Sequence, residues 1–174
     1  YYTQIVELWL MSPWKITRSF ILPLVVLVVV PWAIHTWFDP LLIRNISSVV
    51  LGMLLILIGM SFLAWTNALF VAYGQGTLAP WDPTQKLVVM GPYRFVRNPM
   101  IIGVITVLLG ETILFTSFHL LTWTVLFALI NHSWLIFWEE RQLTEQFGEA
   151  YLKYKNAVPR WIPIGEAAEI DFND

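Results

Sequence analysis

The chain has 174 residues, 57% of them hydrophobic and 13% charged, a balance that points to a single integral-membrane domain over residues 1–174 rather than a soluble one. It contains no cysteine, which excludes disulfides, thiolate metal sites, cysteine nucleophiles and iron–sulfur chemistry, and its three histidines, His35, His119 and His132, lack metal-ligand spacing. The formal net charge of −2 gives no reason to expect a nucleic-acid partner.

A bilayer core takes roughly 20 apolar residues of helix. Four segments fit, at about 20–38, 46–73, 99–116 and 120–138, so the expected fold is all-α, a bundle of about four transmembrane helices. In the first span, Pro23 and Pro31 are expected to bend the helix, which membrane helices tolerate. Its β-branched run from Val25 to Val30 would suit a buried strand, but the length and the lack of alternation favour a helix. In the second span, Ala64, Ala68 and Ala72 recur every fourth residue, a spacing that lets helix backbones approach closely.

Between spans two and three lies "GPYRFVRNPM", Gly91 to Met100. Asn98 followed by Pro99 reads as a helix start, Asn as N-cap and Pro as first helical residue. That accounts for neither Arg94 nor Arg97. Both suit interfacial contact with lipid phosphate, and both suit an anion site at a helix N-terminus. Span three then carries Glu111 well away from its ends, where a carboxylate costs about 3 kcal/mol on insertion scales. Such a group is expected to face the bundle interior, beside a polar cavity or bonded to a residue such as Thr66 or Asn67. The short "FTSFHL" turn makes spans three and four an antiparallel hairpin.

Span four ends in "NHSWLIFWEERQL". At 3.6 residues per turn His132 and Glu139 share a face, and Glu140 points about a quarter turn away. Two adjacent carboxylates at that end oppose the helix dipole, so a cation is expected nearby: Arg94, Arg97, Arg141 or a cationic ligand. A helix continues beyond Glu140, with Leu143, Phe147, Tyr151 and Tyr154 as one apolar stripe that would lie at the membrane surface over the mouth of the bundle. "VPRWIP", Val158 to Pro163, is expected to be extended, and the acidic tail from Glu166 to Asp174 to be solvated.

Basic residues set the expected topology. Lys15, Arg18, Lys86, Arg94, Arg97, Arg141, Lys153, Lys155 and Arg160 all fall on one side of a four-span arrangement, with only Arg44 opposite. Both termini and the middle loop are therefore expected in the cytoplasm.

Three stretches, "GPYRFVRNPMIIG", "EERQLTEQFGEAYLKY" and "VPRWIP", occur in an order and spacing that resemble the integral-membrane isoprenylcysteine carboxyl methyltransferase and phospholipid N-methyltransferase superfamily. The match runs from Gly91 to Pro163, and the loop "GTLAPWDPTQKLV" also looks like the bacterial members, which implies a bacterial or archaeal inner membrane. The resemblance implies S-adenosyl-L-methionine as methyl donor, bound between the last two spans and a C-terminal amphipathic helix. Carried across, the cofactor-binding positions are Arg97, Asn98, Pro99, Gly103, Glu139 and Glu140. Tyr93, Arg94, Tyr151 and Tyr154 also match motif positions, and His132 is added because it shares the Glu139 face. Two positions depart: Asn98 stands where the family has His, and Met100 where it has Tyr. Asn can position a ligand but cannot titrate.

Within this resemblance, Glu139 and Glu140 suit the donor's ammonium or ribose hydroxyls, and Arg97 suits its carboxylate. Gly103 would let the donor approach span three. The acceptor would be an amphiphile, lipid or prenylated, entering from the bilayer. Arg94 would hold a carboxylate acceptor and Glu111 an amine, and Glu111 tilts the choice towards the amine. The competing readings are a membrane sterol or enone reductase using NADPH and a non-enzymatic membrane scaffold.

Overall fold

The structure, a computed structural model, describes residues 21–38, 45–74, 86–163 and 167–168. The topology-setting residues Lys15, Arg18 and Arg44 lie outside that set. The described residues form five helices: α1 (Ile21–Phe38), α2 (Ile46–Gly74), α3 (Pro99–Phe115), α4 (Phe118–Phe147) and α5 (Glu149–Ala157), with a 3-10 turn at Gly91–Arg94. The expected spans are all found as helices. α1, α2 and α4 are long and apolar enough to cross a bilayer, whereas α3, at 17 residues, is shorter.

α1 is continuous through both prolines, and the local distortion is a π turn at Val25–Val29. Pro31 lacks the N–H that would bond the carbonyl four residues back, so a widened turn just before it absorbs the mismatch. The α1 backbone is tied to the hairpin by Trp123, whose Nε1 donates to the Val26 carbonyl at 3.4 Å. Leu27 packs with Val107 and Leu108 in the apolar core, against Val26, Ile56, Leu63, Val104, Trp123 and Phe127. At the other end of α1, the His35 ring lies 4.5 Å from Phe115 and the Phe38 ring 4.9 Å from His119.

The tightest helix pair is α2 against α3. Glycines make it, not the alanines whose spacing singled them out: Ala64 and Ala68 are exposed. A Cβ added at Gly52 would stand 2.6 Å from the Leu114 nitrogen, and one at Gly110 would stand 2.9 Å from the Gly52 carbonyl. Gly59 meets Val107 and the Gly103 carbonyl in the same way. Each of the three glycines meets backbone atoms of the opposite helix at 3.0 Å or less, beyond what a side-chain shift could relieve, and glycine is what brings the two helices together. The pairing runs antiparallel, Gly52 beside Leu114 and Leu63 beside Gly103. It therefore carries the last turns of α2 to the N-terminus of α3.

α3 and α4 form the expected hairpin. Thr116 closes α3 in the left-handed region at φ 50°, and the Ser117 side chain caps α4 by accepting from the Leu120 N–H at 3.0 Å. Thr112 and Thr124 share a hydroxyl contact of 3.3 Å across the pair. α4 then runs past the apolar span into a charged segment and breaks at Gly148, whose φ of 53° suits glycine. α5 folds back from there, so the amphipathic stripe expected as one helix is split in two. Tyr151, Tyr154 and Val158 are buried together, against Leu87, Val89, Leu143, Phe147 and Ala168. This second apolar cluster fixes α5 over the end of the bundle where α3 begins.

Candidate functional site

Glu140 is the centre of the site. It is 6% exposed and receives three cations. Arg97 Nη1 lies 3.0 Å and Arg160 Nε 2.7 Å from its Oε1, while Lys155 Nζ lies 2.8 Å from its Oε2. These groups come from four parts of the chain: the loop before α3, α4, α5 and the segment after α5. A buried carboxylate is tolerated only when paired and hydrogen-bonded, and here both oxygens are engaged. The expected cation is present for Glu140, which Arg97 answers together with Lys155 and Arg160. Arg141, named as another, instead pairs with Glu145 at 2.9 Å on the exposed side of α4.

The helix spacing explains why Glu140, and not Glu139, occupies this position. A π turn at Leu135–Glu139 widens α4, with the Glu140 N–H bonding the Leu135 carbonyl. The extra residue in the turn rotates everything beyond it, so the quarter-turn offset expected for Glu140 disappears. The consecutive residues Arg160 and Trp161 show the result. Arg160 reaches Glu140, and Trp161 Nε1 donates to His132 Nδ1 at 2.9 Å. His132 and Glu140 thus lie along one edge of α4, strapped by the segment Val158–Pro163. Because Nδ1 accepts, the ring proton of a neutral His132 sits on Nε2.

The remaining predicted residues divide by position. Arg97 is anchored twice more, its N–H bonding the Pro159 carbonyl at 2.9 Å and its Nη1 lying 3.4 Å from the Tyr151 hydroxyl. Tyr154 donates to the Tyr93 carbonyl at 2.8 Å. Burial raises the pKa of the Tyr93 and Tyr154 hydroxyls above the ordinary tyrosine range, with Glu139 adding to the effect at Tyr93 and Tyr93 adding to it at Tyr154. Both therefore remain O–H donors. Asn98 occupies the N-cap position of α3 and Pro99 its first turn, but the Asn98 side chain makes no capping bond. Glu139 is half-buried and makes no ion pair among the described residues.

Three predicted site residues make their contacts elsewhere. Gly103 faces α2, where an added Cβ would meet Leu63 at 3.2 Å, so its small size serves the close packing of α3 on α2. Arg94 points to the tail: its Nε donates to the Ala168 carbonyl at 3.0 Å, and the Ala168 N–H donates back to the Arg94 carbonyl at 3.1 Å. The tail is thus docked at Ala168 rather than wholly solvated. Glu111 is not brought to the cluster. It lies twelve positions beyond Pro99, a rise of about 18 Å at 1.5 Å per residue, and the α2–α3 register sets it far from Thr66 and Asn67. Thr66 bonds carbonyls of its own helix instead.

Some buried polar atoms at this end have no hydrogen-bond partner among the described residues: Arg97 Nε, the Tyr93 hydroxyl and Asn67 Oδ1. Glu111 Oε2, at the far end of α3, is another. Lys155, Arg160 and Trp161 were legible only as topology-setting charges or as part of "VPRWIP". The signal that could have found them is the requirement that a buried carboxylate be neutralised.

The family model described as phospholipid methyltransferase matches residues 47–150. That range takes in α2, the arginine loop, α3, α4 and the start of α5. No curated protein and no solved structure matches the chain.

Proposed function

The chain belongs to the phospholipid methyltransferase family, and from that premise we propose that it transfers a methyl group from S-adenosylmethionine to the polar head of an amphiphilic, lipid-like acceptor. The observation that supports this most is the buried Arg97–Glu140 pair at the start of α3. Among the described residues it leaves Arg97 Nε unpaired on one side and the Glu139 carboxylate without a cation. One buried cationic donor and one unneutralised carboxylate at the same helix ends suit a ligand that carries both an anion and a cation.

The donor chemistry fits these residues. Arg97 Nε–H would bind its carboxylate, and Glu139 its ammonium or ribose hydroxyls. His132 Nε2–H and the uncapped Asn98 side chain would orient it, and Pro99 would hold the first turn of α3 in place. Glu140 has both oxygens on protein cations, so its share is to hold Arg97 and the strap in position rather than to touch the ligand. The donor supplies a methyl group already activated on a sulfonium. The protein then needs only to align the acceptor and to keep water out, and the α5 cluster around Tyr151 and Tyr154 covers this end. Arg94 would meet the acceptor's anionic group with its remaining N–H donors. The basic end, in this reading, faces the cytoplasm, as the distribution of lysine and arginine favours.

The direct test is methyl transfer in a bilayer. Purified protein in vesicles made from a total lipid extract is given S-adenosylmethionine labelled on the methyl group, and the products are identified by mass spectrometry. The expected result is label in a lipid fraction, dependent on intact Arg97. Label absent from every lipid, under conditions where the protein is folded, would contradict the proposal.

A further inference from the structure

The proposed donor site uses the α3 N-terminus, the loop before it and α4, yet two further buried atoms at this end have no partner among the described residues. Tyr93 is 6% exposed and its hydroxyl has no partner among the described residues, although its carbonyl is fixed by Tyr154. Asn67 lies near the end of α2 with a buried, unpartnered Oδ1. The register of α2 brings these two together. Leu63, four residues before Asn67, contacts Gly103 in the first turns of α3. Phe70, three residues after it, has its ring 6.4 Å from that of Tyr93. Residues spaced three and four apart share a helix face, so Asn67 stands between the start of α3 and Tyr93. Arg97, with a side chain 9% exposed and Nε unpaired, sits at the same end.

A buried donor or acceptor without a partner is costly, and native structures retain few of them without a reason. Here three occur at one end of the bundle, one on α2 and two on the connection that leads into α3. Their chemistry is complementary to one kind of group: two donors, Arg97 Nε–H and Tyr93 O–H, and one acceptor, Asn67 Oδ1. A carboxylate takes the two donors and an ammonium fills the acceptor. A nucleoside, with neutral hydroxyls and a flat base, has no use for a desolvated guanidinium.

Resting on the donor reading above, we infer that Asn67 and Tyr93 join Arg97 in a subsite for the α-amino-carboxylate end of the donor, reached from the second span. Asn67 and Tyr93 then determine specificity for an amino-acid-bearing ligand over the bare nucleoside thioether. The three groups are held without a ligand by surrounding packing: Gly103 against Leu63, Phe70 against Tyr93, and Glu140 against Arg97.

Two probes separate the subsite from the rest of the site. S-adenosylhomocysteine carries the amino acid, and 5′-methylthioadenosine keeps the nucleoside and thioether without it. Binding of each to detergent-solubilised wild type, Tyr93→Phe and Asn67→Leu is measured by calorimetry. Wild type is expected to prefer S-adenosylhomocysteine by about 100-fold, and each variant to lose about tenfold for that ligand while binding methylthioadenosine within about twofold of wild type. Because the Tyr93 hydroxyl has no partner, ligand-free Tyr93→Phe is expected to melt no lower than wild type, which separates ligand loss from misfolding. Unchanged affinity for S-adenosylhomocysteine in both variants, or equal weakening of both ligands, overturns the subsite while leaving the donor reading intact. Failure of wild type to bind either compound overturns the donor reading and the subsite with it.

Discussion

Replacing Glu140 with alanine is expected to cost about 3–5 kcal/mol of stability, the penalty for leaving buried charge uncompensated. The carboxylate is 6% exposed and answers Arg97, Arg160 and Lys155 at once. Without it, three cations face one another in a partly dry space. Arg97 has only a 3.4 Å contact to the Tyr151 hydroxyl to fall back on. Arg160 and Lys155 are more exposed and can turn to water. The strap Val158–Pro163 and α5 are therefore expected to detach first, and proteolysis near Gly148 should rise before the membrane helices unfold. Thermal unfolding in detergent, with proteolysis alongside, checks this. Glu139→Ala is the contrast: lacking an ion pair, it should leave the melting temperature close to that of wild type. A Glu140→Ala protein as stable as wild type would show that the cluster holds nothing together.

Arg97→Ala is expected to lower donor-dependent transfer by about 100-fold or more, since a desolvated charge-assisted bond to a carboxylate is worth roughly 1.5–3 kcal/mol and the ion pair that shapes the site goes with it. The two contributions can be parted with Arg97→Lys. An ammonium can restore the contact with Glu140 but has no Nε–H to offer a ligand. The lysine variant is expected to recover most of the stability lost in Arg97→Ala while remaining defective in transfer. Kinetics with varied donor concentration provide the measurement, the defect appearing as a raised requirement for donor. Recovery of transfer along with stability in Arg97→Lys would assign Arg97 a purely structural part.

Much of this architecture is legible from local pattern. Apolar runs of spanning length mark the membrane helices, and the Asn98–Pro99 dipeptide marks where α3 starts, because those signals depend only on neighbours in the chain. Arg97 and the glutamate pair are likewise visible as charges that composition alone leaves unexplained. What escapes is whatever depends on register. The π turn at Leu135–Glu139 has no local signature in "LIFWE", yet it decides that Glu140 and not Glu139 faces Arg97. Small-residue spacing in α2 suggested Ala64, Ala68 and Ala72, but glycines at 52 and 59 permit a closer approach than any alanine, and they fix the helix face. Once that face is fixed, Asn67 falls at the α3 N-terminus and Glu111 does not. Lys155 and Arg160 converge on Glu140 only because Gly148 turns α5 back, a geometry set by one positive φ angle.

On the proposed function, the Arg97–Glu140 end of the bundle binds a sulfonium nucleoside that carries an amino acid. Thermal unfolding of the purified wild-type protein, alone, with S-adenosylhomocysteine and with NADPH, tests it most directly. A ligand at 100 times its Kd adds about 2.7 kcal/mol, which for a chain of this size corresponds to a rise of roughly 5–10 °C. The expected result is that shift with S-adenosylhomocysteine and none with NADPH. Stabilisation by NADPH alone would contradict the account and point to a reductase.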